Sequence, residues 1–460
     1  MRNTTRLLDV LDRAEHGPLL DPEDWDKRLV SSMIKEVSAE FDITFKPLGD
    51  TLVPDDDALA DRIYAAGLAV AERLGSFCIT TNRRIQFSPA EIAAALEIAP
   101  VEVTYGEGLD KHTERKRKVE DSAYMTIKGG GVGTPIPEDL YLAVHQSYAQ
   151  EPLVDTMINS TMLTVYNREV RGGSPLEMLA GWHEAELTKA ACARAGRPGL
   201  GLGCVENAVS EISEISATSY GGFSQYDWHH IAMISEFKTD YGSLKKLTHL
   251  IKTGSIIHTF YNTIYGGYVG GKEGMAIAIV AGSILMQMLY MTNTHSVSPA
   301  HPFYGNDTTP EIIQAISLGH QALARNSRLM TDLVITPVGG PMMPTLLYEC
   351  AAMAIMGAAS GTCALIGPRS NAGVVNAHVS GLEARFTAEV ARAAAGISRA
   401  EANDLVTKLV ALYKPTLDQR PVGKPFTEVY DQATLKPTPE WLAVYESAKD
   451  ELRGMGLKLA

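Results

Sequence analysis

Several side chains with metal-binding chemistry lie in the middle of this sequence, on segments predicted to end strands. Five of its 12 histidines belong to this group. The group is His229, His230, His258, His295 and His301, with Cys204 and Glu206 on an earlier segment. Imidazole and thiolate bind zinc, and zinc activates thiol or alcohol donors. The spacing matches neither HExxH nor CxxC, so local hydrogen bonding is the competing interpretation; a metal site would draw on His229, His258, His295 and Cys204.

Aromatic side chains occur on the same segments. They are Tyr220, Phe223, Tyr226, Trp228, Phe260, Tyr261, Tyr265, Tyr268, Phe303 and Tyr304. The faces of Trp and Tyr attract ammonium cations, at about 0.5–2 kcal/mol for each ring. The pattern is compatible with a cage around a cationic ligand, and equally with core packing or an interface.

Three other motifs have plainer interpretations. The run Lys128-Gly-Gly-Gly-Val-Gly lacks the dinucleotide-binding spacing, so it is predicted to be a structural turn. Asp307 and Asp332 are candidate carboxylates at strand ends, and the alternative for Asp332, which begins an apolar run, is that it caps that run.

Alternating strand-like and helical runs from about residue 152 indicate the elements that position these side chains. Ser174, Pro175 and Glu177 combine an N-cap, a first-turn proline and an N3 glutamate. Repeated alternation over ~240 residues without a nucleotide-binding fingerprint predicts an α/β fold, a (β/α)₈ TIM barrel. A doubly wound open sheet is the alternative. In a barrel, the loop Gly221–His230 is expected at the C-terminal mouth, where the chemistry of this fold takes place.

The flanking segments do not follow the alternation. Residues 56–75 form an amphipathic helical pattern, Phe77–Phe87 a hairpin, and Ser88 with Glu91 a capping box. We therefore expect an N-terminal α/β extension over 1–150, a barrel catalytic domain over 151–400, and C-terminal helices packed on the barrel over 401–460.

Composition excludes several classes of protein. The 460 residues carry a net charge of −13, which disfavours a nucleic-acid partner. Five cysteines without paired spacing favour a reducing compartment. The N-terminus has no apolar signal region, and Gly274–Thr292 is predicted to be a buried core helix, not a membrane span. A cytoplasmic protein without membrane contact is expected.

Segments along most of the chain resemble the monomethylamine:corrinoid methyltransferases. They include TTNRRIQF, VRGGSPLEM, AGRPGLG, YGGYVGGKE, GLEARFTAEVARA and KPFTEVYD. The resemblance implies a TIM barrel that transfers a methyl group from methylamine to the Co(I) of a separate corrinoid protein. It also implies that cobalamin is carried by that partner, with no tightly bound cofactor on this chain.

The family uses pyrrolysine, and this chain resembles a homologue that lacks it. By the resemblance, the pyrrolysine position falls at Gln225, after Tyr220-Gly221-Gly222-Phe223-Ser224, and the family's functional glutamate falls at Glu273. The family's Gln and Tyr fall at Val334 and Thr336. A glutamine amide only donates and accepts hydrogen bonds, so it does not replace an electrophilic imine. Monomethylamine is therefore expected to remain unactivated.

These observations together predict a methyltransferase that does not use pyrrolysine. Gln225 and Glu273 would orient the donor, and its contacts would be Tyr220, Phe223, Tyr226, Trp228, Tyr265 and Thr336. A quaternary ammonium or sulfonium donor is favoured because it already carries the charge that makes it leave. The alternatives are a zinc-dependent enzyme acting on a neutral donor, and a non-catalytic barrel that binds methylated amines. A cognate corrinoid protein and a homo-oligomer are expected as partners.

Overall fold

The computed structural model describes residues 2–49, 51–203, 210–219 and 221–459, with the side chains of residues 2 and 3 excepted. Eight parallel strands close into a barrel in chain order. The strands are β1 (Thr126–Gly130), β2 (Thr156–Ile158), β3 (Gly201–Gly203), β4 (Trp228–Met233), β5 (Ile256–Tyr261), β6 (Thr294–Val297), β7 (Thr331–Val334) and β8 (Ala364–Gly367). The predicted (β/α)₈ fold is confirmed, and the open sheet is excluded.

A helix follows each strand and packs outside the barrel. These helices are α1 (Glu138–Ala149), α2 (Pro175–Arg194), α3 (Glu211–Ala217), α4 (Tyr241–Thr253), α5 (Lys272–Tyr290), α6 (Pro310–Asn326), α7 (Pro344–Ser360) and α8 (Gly381–Ala393). The predicted cap of α2 is present: the Ser174 side chain accepts from the Glu177 amide, and Pro175 occupies the first turn.

Helix α5 is the one described helix that is long and apolar enough to cross a membrane, and 94% of its most apolar window is buried inside the molecule. It packs against a helix of the N-terminal region, Asp57–Leu74. Gly67 permits the close contact, since a Cβ there would lie 2.5 Å from the Val280 side chain. Burial of each large apolar side chain in such a layer contributes about 1.5–3 kcal/mol.

The N-terminal region contains the predicted hairpin, Ser76–Cys78 paired with Arg83–Ile85, and the capping box that begins helix Pro89–Glu97. Its other helical segments are Arg2–His16, Pro22–Asp24, Trp25–Val30 and Ser31–Glu40. The C-terminal segments Arg399–Tyr413, Lys414–Gln419, Phe426–Val429 and Pro439–Gly454 lie after the barrel.

The barrel begins earlier than the expected boundary at residue 151. Strand β1 is the glycine-rich segment that was predicted to be a turn, and all five of its residues are buried. A second hairpin, Glu102–Tyr105 with His112–Arg115, closes the N-terminal end of the barrel. Its Tyr105 and Glu114 are fully buried, so this region contributes side chains to the barrel interior.

Candidate active site

A cavity of about 170 Å³ opens inside the C-terminal end of the barrel. Its lining consists of Val132, Ile158, His230, His258, Phe260, Ser296, Ser298, Val334, Ile366 and Arg369. Ile158 and Val334 end their strands and Ser298 follows one directly, while Val132 and Arg369 lie two residues beyond the ends of β1 and β8. This is the end of the barrel at which enzymes of this fold assemble their active sites.

The alternation of side chains along β4 and β5 selects which residues face the cavity. His230 and His258 are register partners, and their ring centroids lie 5.8 Å apart in a stacked arrangement. The Phe260 ring is 5.5 Å from His230. His229 points to the opposite side of the same strand, where its Nδ1 is 2.8 Å from Glu214 Oε1.

His258 connects the cavity to the layer beneath it. Its Nε2 lies 2.9 Å from Ser296 Oγ, and its Nδ1 lies 2.8 Å from Thr294 Oγ1. Burial lowers the pKa of His258 well below its ordinary value, and the positive charge of Lys128 adds to this effect. The imidazole is therefore neutral, with one nitrogen donating and the other accepting.

A fully buried charge cluster lies below His258. Lys128 Nζ is 2.7 Å from Asp332 Oδ2 and 3.0 Å from Glu114 Oε2, and the Tyr105 hydroxyl donates to Glu114 over 2.9 Å. Burial opposes the charge on Lys128, but Asp332 and Glu114 outweigh it and raise the pKa of Lys128 well above its usual range. Burial and the charge of Glu114 likewise raise the pKa of Asp332. Asp332, expected either as a strand-end carboxylate or as a cap, is the second residue of β7 and belongs to this cluster.

Trp228 occupies the barrel interior beside this cluster. Its indole nitrogen donates to Thr156 Oγ1 over 2.9 Å, and Lys128 Nζ lies 4.8 Å from the ring centroid. Gly203 makes room for the indole, since a Cβ at that position would lie 2.2 Å from Trp228 Cζ2. Trp228 therefore faces the barrel interior, where it contacts Lys128, and it does not line the cavity as a donor contact.

Another buried carboxyl group, that of Asp307, supports the cavity wall. Ser298 Oγ is 3.0 Å from Thr336 Oγ1 and 3.3 Å from Asp307 Oδ2. The Thr336 amide donates to Asp307 over 2.9 Å, and burial raises the pKa of Asp307 to about 7. Thr336 thus holds Ser298 in place and does not itself line the cavity.

The predicted position of the Gly221–His230 loop is wrong. Trp228–Met233 is a barrel strand, so residues 221–227 enter the strand at the N-terminal end of the barrel instead of leaving it at the mouth. Gln225 and Tyr226 are exposed there, and Phe223 packs beside His229 outside the strand. Since the cavity opens at the other end, these three residues do not contact it. Tyr220 lies outside the described residues.

Glu273 also lies away from the cavity. It is the second residue of α5 and lines a surface groove of about 440 Å³ with Lys35 and Ser38. The predicted arrangement, a carboxylate facing an aromatic-lined mouth, is therefore not found. Tyr265 does lie on a mouth loop, where it stacks on His301 with 6.0 Å between centroids, but it is not a cavity residue.

The histidines predicted as metal ligands do not converge. His258 faces the barrel interior, whereas His229 and His295 face the surrounding helices, and burial lowers the pKa of His295 to about 3. In the part of the chain that the structure describes, no group of three His, Cys, Asp or Glu side chains is arranged to hold a metal ion. Cys204 and Glu206 lie outside that part.

Ser296, Ser298 and Arg369 were not predicted from the sequence. Serines carry no distinctive pattern, and Arg369 follows a short apolar strand. Lys128 in β1 could have pointed to the charge cluster, because a single charged side chain between buried apolar strand residues needs a charged partner in the interior.

Three comparisons with known proteins agree on one family. The family model described as monomethylamine methyltransferase MtmB matches residues 5–457. The chain is 34% identical over 449 residues to monomethylamine methyltransferase MtmB2 of Methanosarcina barkeri and to MtmB1 of Methanosarcina acetivorans, covering 98% of this chain and 97% of each relative. The crystal structure of the M. barkeri protein and that of a hydroxylamine MtmB complex each superpose with a TM-score of 0.96, at 34% identity, over 98% of both chains.

Proposed function

Because the chain belongs to the monomethylamine methyltransferase MtmB family, we propose that it transfers a methyl group from a small methylated amine, bound in the barrel cavity, to the cobalt of a separate corrinoid protein. The observation that carries this proposal is the position and lining of the cavity at the C-terminal end of the barrel. The corrinoid is a substrate carried by the partner, and no tightly bound cofactor on this chain is required.

The size of the cavity supports a small donor. Its volume of about 170 Å³ lies below the roughly 300–1,000 Å³ of pockets that hold drug-sized ligands. A donor in it would lie between the His230 and Phe260 rings on one side and Ser296 and Ser298 on the other. Its methyl group would face the open end, which the partner must cover to bring cobalt into line with the carbon–nitrogen bond.

The charge of the described lining favours an uncharged donor. It includes the Arg369 guanidinium and two histidines but no carboxylate. A quaternary ammonium or sulfonium donor would find the face of Phe260 there, without the glutamate on which that hypothesis depended. We therefore propose that the amine enters in its uncharged form. Gln225 lies at the opposite end of the barrel and does not contact a donor in this cavity. No electrophilic imine takes its place, so activation of monomethylamine would have to come from other groups, and the assay below tests the expectation that it remains unactivated.

We further propose a homo-oligomer in the cytoplasm. Tyr166, Leu179 and Trp182 line an open groove on the outer surface and remain 59%, 36% and 39% exposed. Apolar surface of this kind, rimmed by polar residues, is typical of protein interfaces. Sedimentation of the purified chain would test the homo-oligomer, and a Trp182→Glu substitution should shift the distribution of oligomeric states toward the monomer.

The main experiment is a methyl-transfer assay with Co(I) cobalamin as acceptor. The absorbance change from Co(I) to methyl-Co(III) would be followed with monomethylamine, dimethylamine, tetramethylammonium, trimethylsulfonium and methanol as donors. We expect transfer from the amines, and none from them in a Val334→Phe variant, whose ring fills the cavity. Val101→Phe, at the other end of the barrel, is the matched control.

The outcomes separate the candidate functions. No transfer from any donor, with binding still detected by calorimetry, would favour the non-catalytic barrel. Transfer from tetramethylammonium or trimethylsulfonium in preference to the amines would restore the cationic-donor hypothesis. Loss of activity on treatment with a chelator would favour the zinc-dependent alternative.

A further inference from the structure

A continuous series of hydrogen-bonding groups runs from the charge cluster to the cavity wall. It begins at Glu114 Oε2, which is 2.9 Å from the Tyr105 hydroxyl, and that hydroxyl is 3.4 Å from Thr294 Oγ1. Thr294 Oγ1 is 2.8 Å from His258 Nδ1, and His258 Nε2 is 2.9 Å from Ser296 Oγ, which lines the cavity. Each group between the two ends can both donate and accept a proton. The Tyr105 hydroxyl, which donates to Glu114, turns to donate to Thr294 when the relay operates.

The lower end of this series has a proton to give. Glu114 and Asp332 are two buried carboxyl groups that share a single cation, Lys128. Glu114 Oε1 and Asp332 Oδ1 are both buried, and neither has a hydrogen-bond partner among the described residues. The two side chains lie within hydrogen-bonding reach of each other, so one proton held between them removes the repulsion of two buried carboxylates and balances the charge of the cluster.

We propose that Ser296, His258, Thr294 and Tyr105 form a proton relay, which delivers the proton held by Glu114 and Asp332 to the nitrogen of the departing amine. The proposal depends on the function proposed above and adds to it the source of the leaving group's proton. His258 is the central member, because a neutral imidazole can accept a proton at Nδ1 while it gives one up at Nε2.

The charged surroundings of His258 suit transfer and disfavour storage of the proton. Lys128, His230 and His295 all lower its affinity for a second proton, and Asp332 Oδ2, at 3.6 Å from Nδ1, is the nearest opposing charge. The imidazole therefore passes the proton on without remaining charged.

The step balances as follows. The electron pair of Co(I) forms the cobalt–carbon bond, and the carbon–nitrogen bond breaks with its electron pair going to nitrogen. The Ser296 hydroxyl protonates that nitrogen, so the product is a neutral amine or ammonia and not an amide anion. Ser296 regains its proton through His258, Thr294 and Tyr105, which leaves Glu114 and Asp332 with one proton fewer. Solvent restores that proton after the products leave.

The relay explains how an uncharged donor could react in this cavity, whose described lining has no carboxylate: it supplies the proton that the departing nitrogen needs. An ammonium donor already carries the leaving group's proton and would need no relay. General acid catalysis of this type contributes about 10²- to 10⁴-fold to rate.

The test compares steady-state methyl transfer to Co(I) cobalamin in wild type, His258→Gln, Ser296→Ala and Ser296→Thr. We expect the first two variants to lose at least about 100-fold in kcat with little change in KM, and Ser296→Thr to retain most of the rate because it keeps the hydroxyl. The matched control is His320→Gln, a buried histidine outside the barrel wall that bonds Thr362. A solvent deuterium isotope effect on kcat should be present in wild type and Ser296→Thr.

Failure of this inference differs from failure of the proposed function. If wild type transfers methyl groups and Ser296→Ala does so at the same rate, or with only a raised KM, the relay is wrong and the function stands. If wild type transfers no methyl group from any amine, the proposed function itself is wrong. Should His258→Gln fail to fold, the smaller Ser296→Ala change decides the question.

Discussion

Replacing Lys128 by methionine should destabilise the protein by an amount that depends on pH. Lys128 forms buried ion pairs with both Glu114 and Asp332, and all three side chains are completely buried. Without the cation, the carboxylate that was ionised in the wild type either stays charged in the barrel interior or takes up a proton. Removing one partner of a buried pair costs about 3–5 kcal/mol in measured cases.

The cost of proton uptake gives the magnitude. A glutamic acid with an unfolded pKa of about 4.3 costs about 3.7 kcal/mol to protonate at pH 7 and about 1 kcal/mol at pH 5. The substitution removes the Lys128 proton from both states. Among the remaining groups, the folded variant binds one proton more than the folded wild type, while the unfolded states bind equal numbers. The stability of the variant relative to wild type therefore falls as the pH rises above about 4.3. The free energy of unfolding that Lys128→Met loses relative to wild type should be about 2.7 kcal/mol smaller at pH 5 than at pH 7.

Urea unfolding of wild type and variant at pH 5 and pH 7 measures this difference. Lys238→Met is the matched control, because Lys238 forms a single ion pair with Asp26 near the surface, at 2.8 Å. Lys238→Met should lower the free energy of unfolding by about 1 kcal/mol or less at both pH values. Equal losses for Lys128→Met at the two pH values would refute the assignment of an ionised carboxylate to this pair.

Three further predictions follow from the positions of particular residues. Gly203→Ala should lower the free energy of unfolding by about 1–3 kcal/mol, because its Cβ would collide with Trp228. Gly454→Ala, which has open space around its Cβ, should be neutral or slightly stabilising, and urea unfolding compares the two variants. Gln225→Ala and Glu273→Gln should change kcat/KM for methyl transfer less than twofold, since neither side chain lines the cavity, and a tenfold loss in either would return that residue to the site. For monomethylamine, kcat/KM should rise nearly tenfold per pH unit between pH 6.5 and 8.5. The reason is that the uncharged fraction of an amine with a pKa near 10.4 rises nearly tenfold per pH unit over this range. A flat profile would show that the ammonium form is the substrate.

The barrel could be predicted from the sequence because its helices and strands alternate with clear caps and apolar runs. Strand β1 was missed because its two glycines and the Gly131 that follows them resemble a turn, and only its burial on both faces identifies it as a strand. Side-chain direction along a known strand was also predictable, and His229 and His230 do face opposite ways.

The location of the site was harder to infer. A glycine-rich loop has the same composition whether it precedes or follows a strand, so Gln225 was expected at the end of the barrel opposite to the one it occupies. The partners of Lys128 lie 14 residues before it and 204 residues after it. No local pattern connects positions so far apart; only closure of the barrel brings them together.

The hairpin at the N-terminal end of the barrel limits how this protein can be divided or recombined. It inserts Tyr105 and Glu114 beneath the cavity, and its turn is bonded to the loops that enter β3 and β4, with the Gly106 amide donating to Tyr226 and the Glu107 amide to Gly199. A fragment starting at β1 would leave Lys128 with one carboxylate and admit water from below. The segment before the barrel is therefore no detachable module: a chimera that exchanges the barrel between relatives must exchange the hairpin with it, and substitutions on either side are expected to be inherited together.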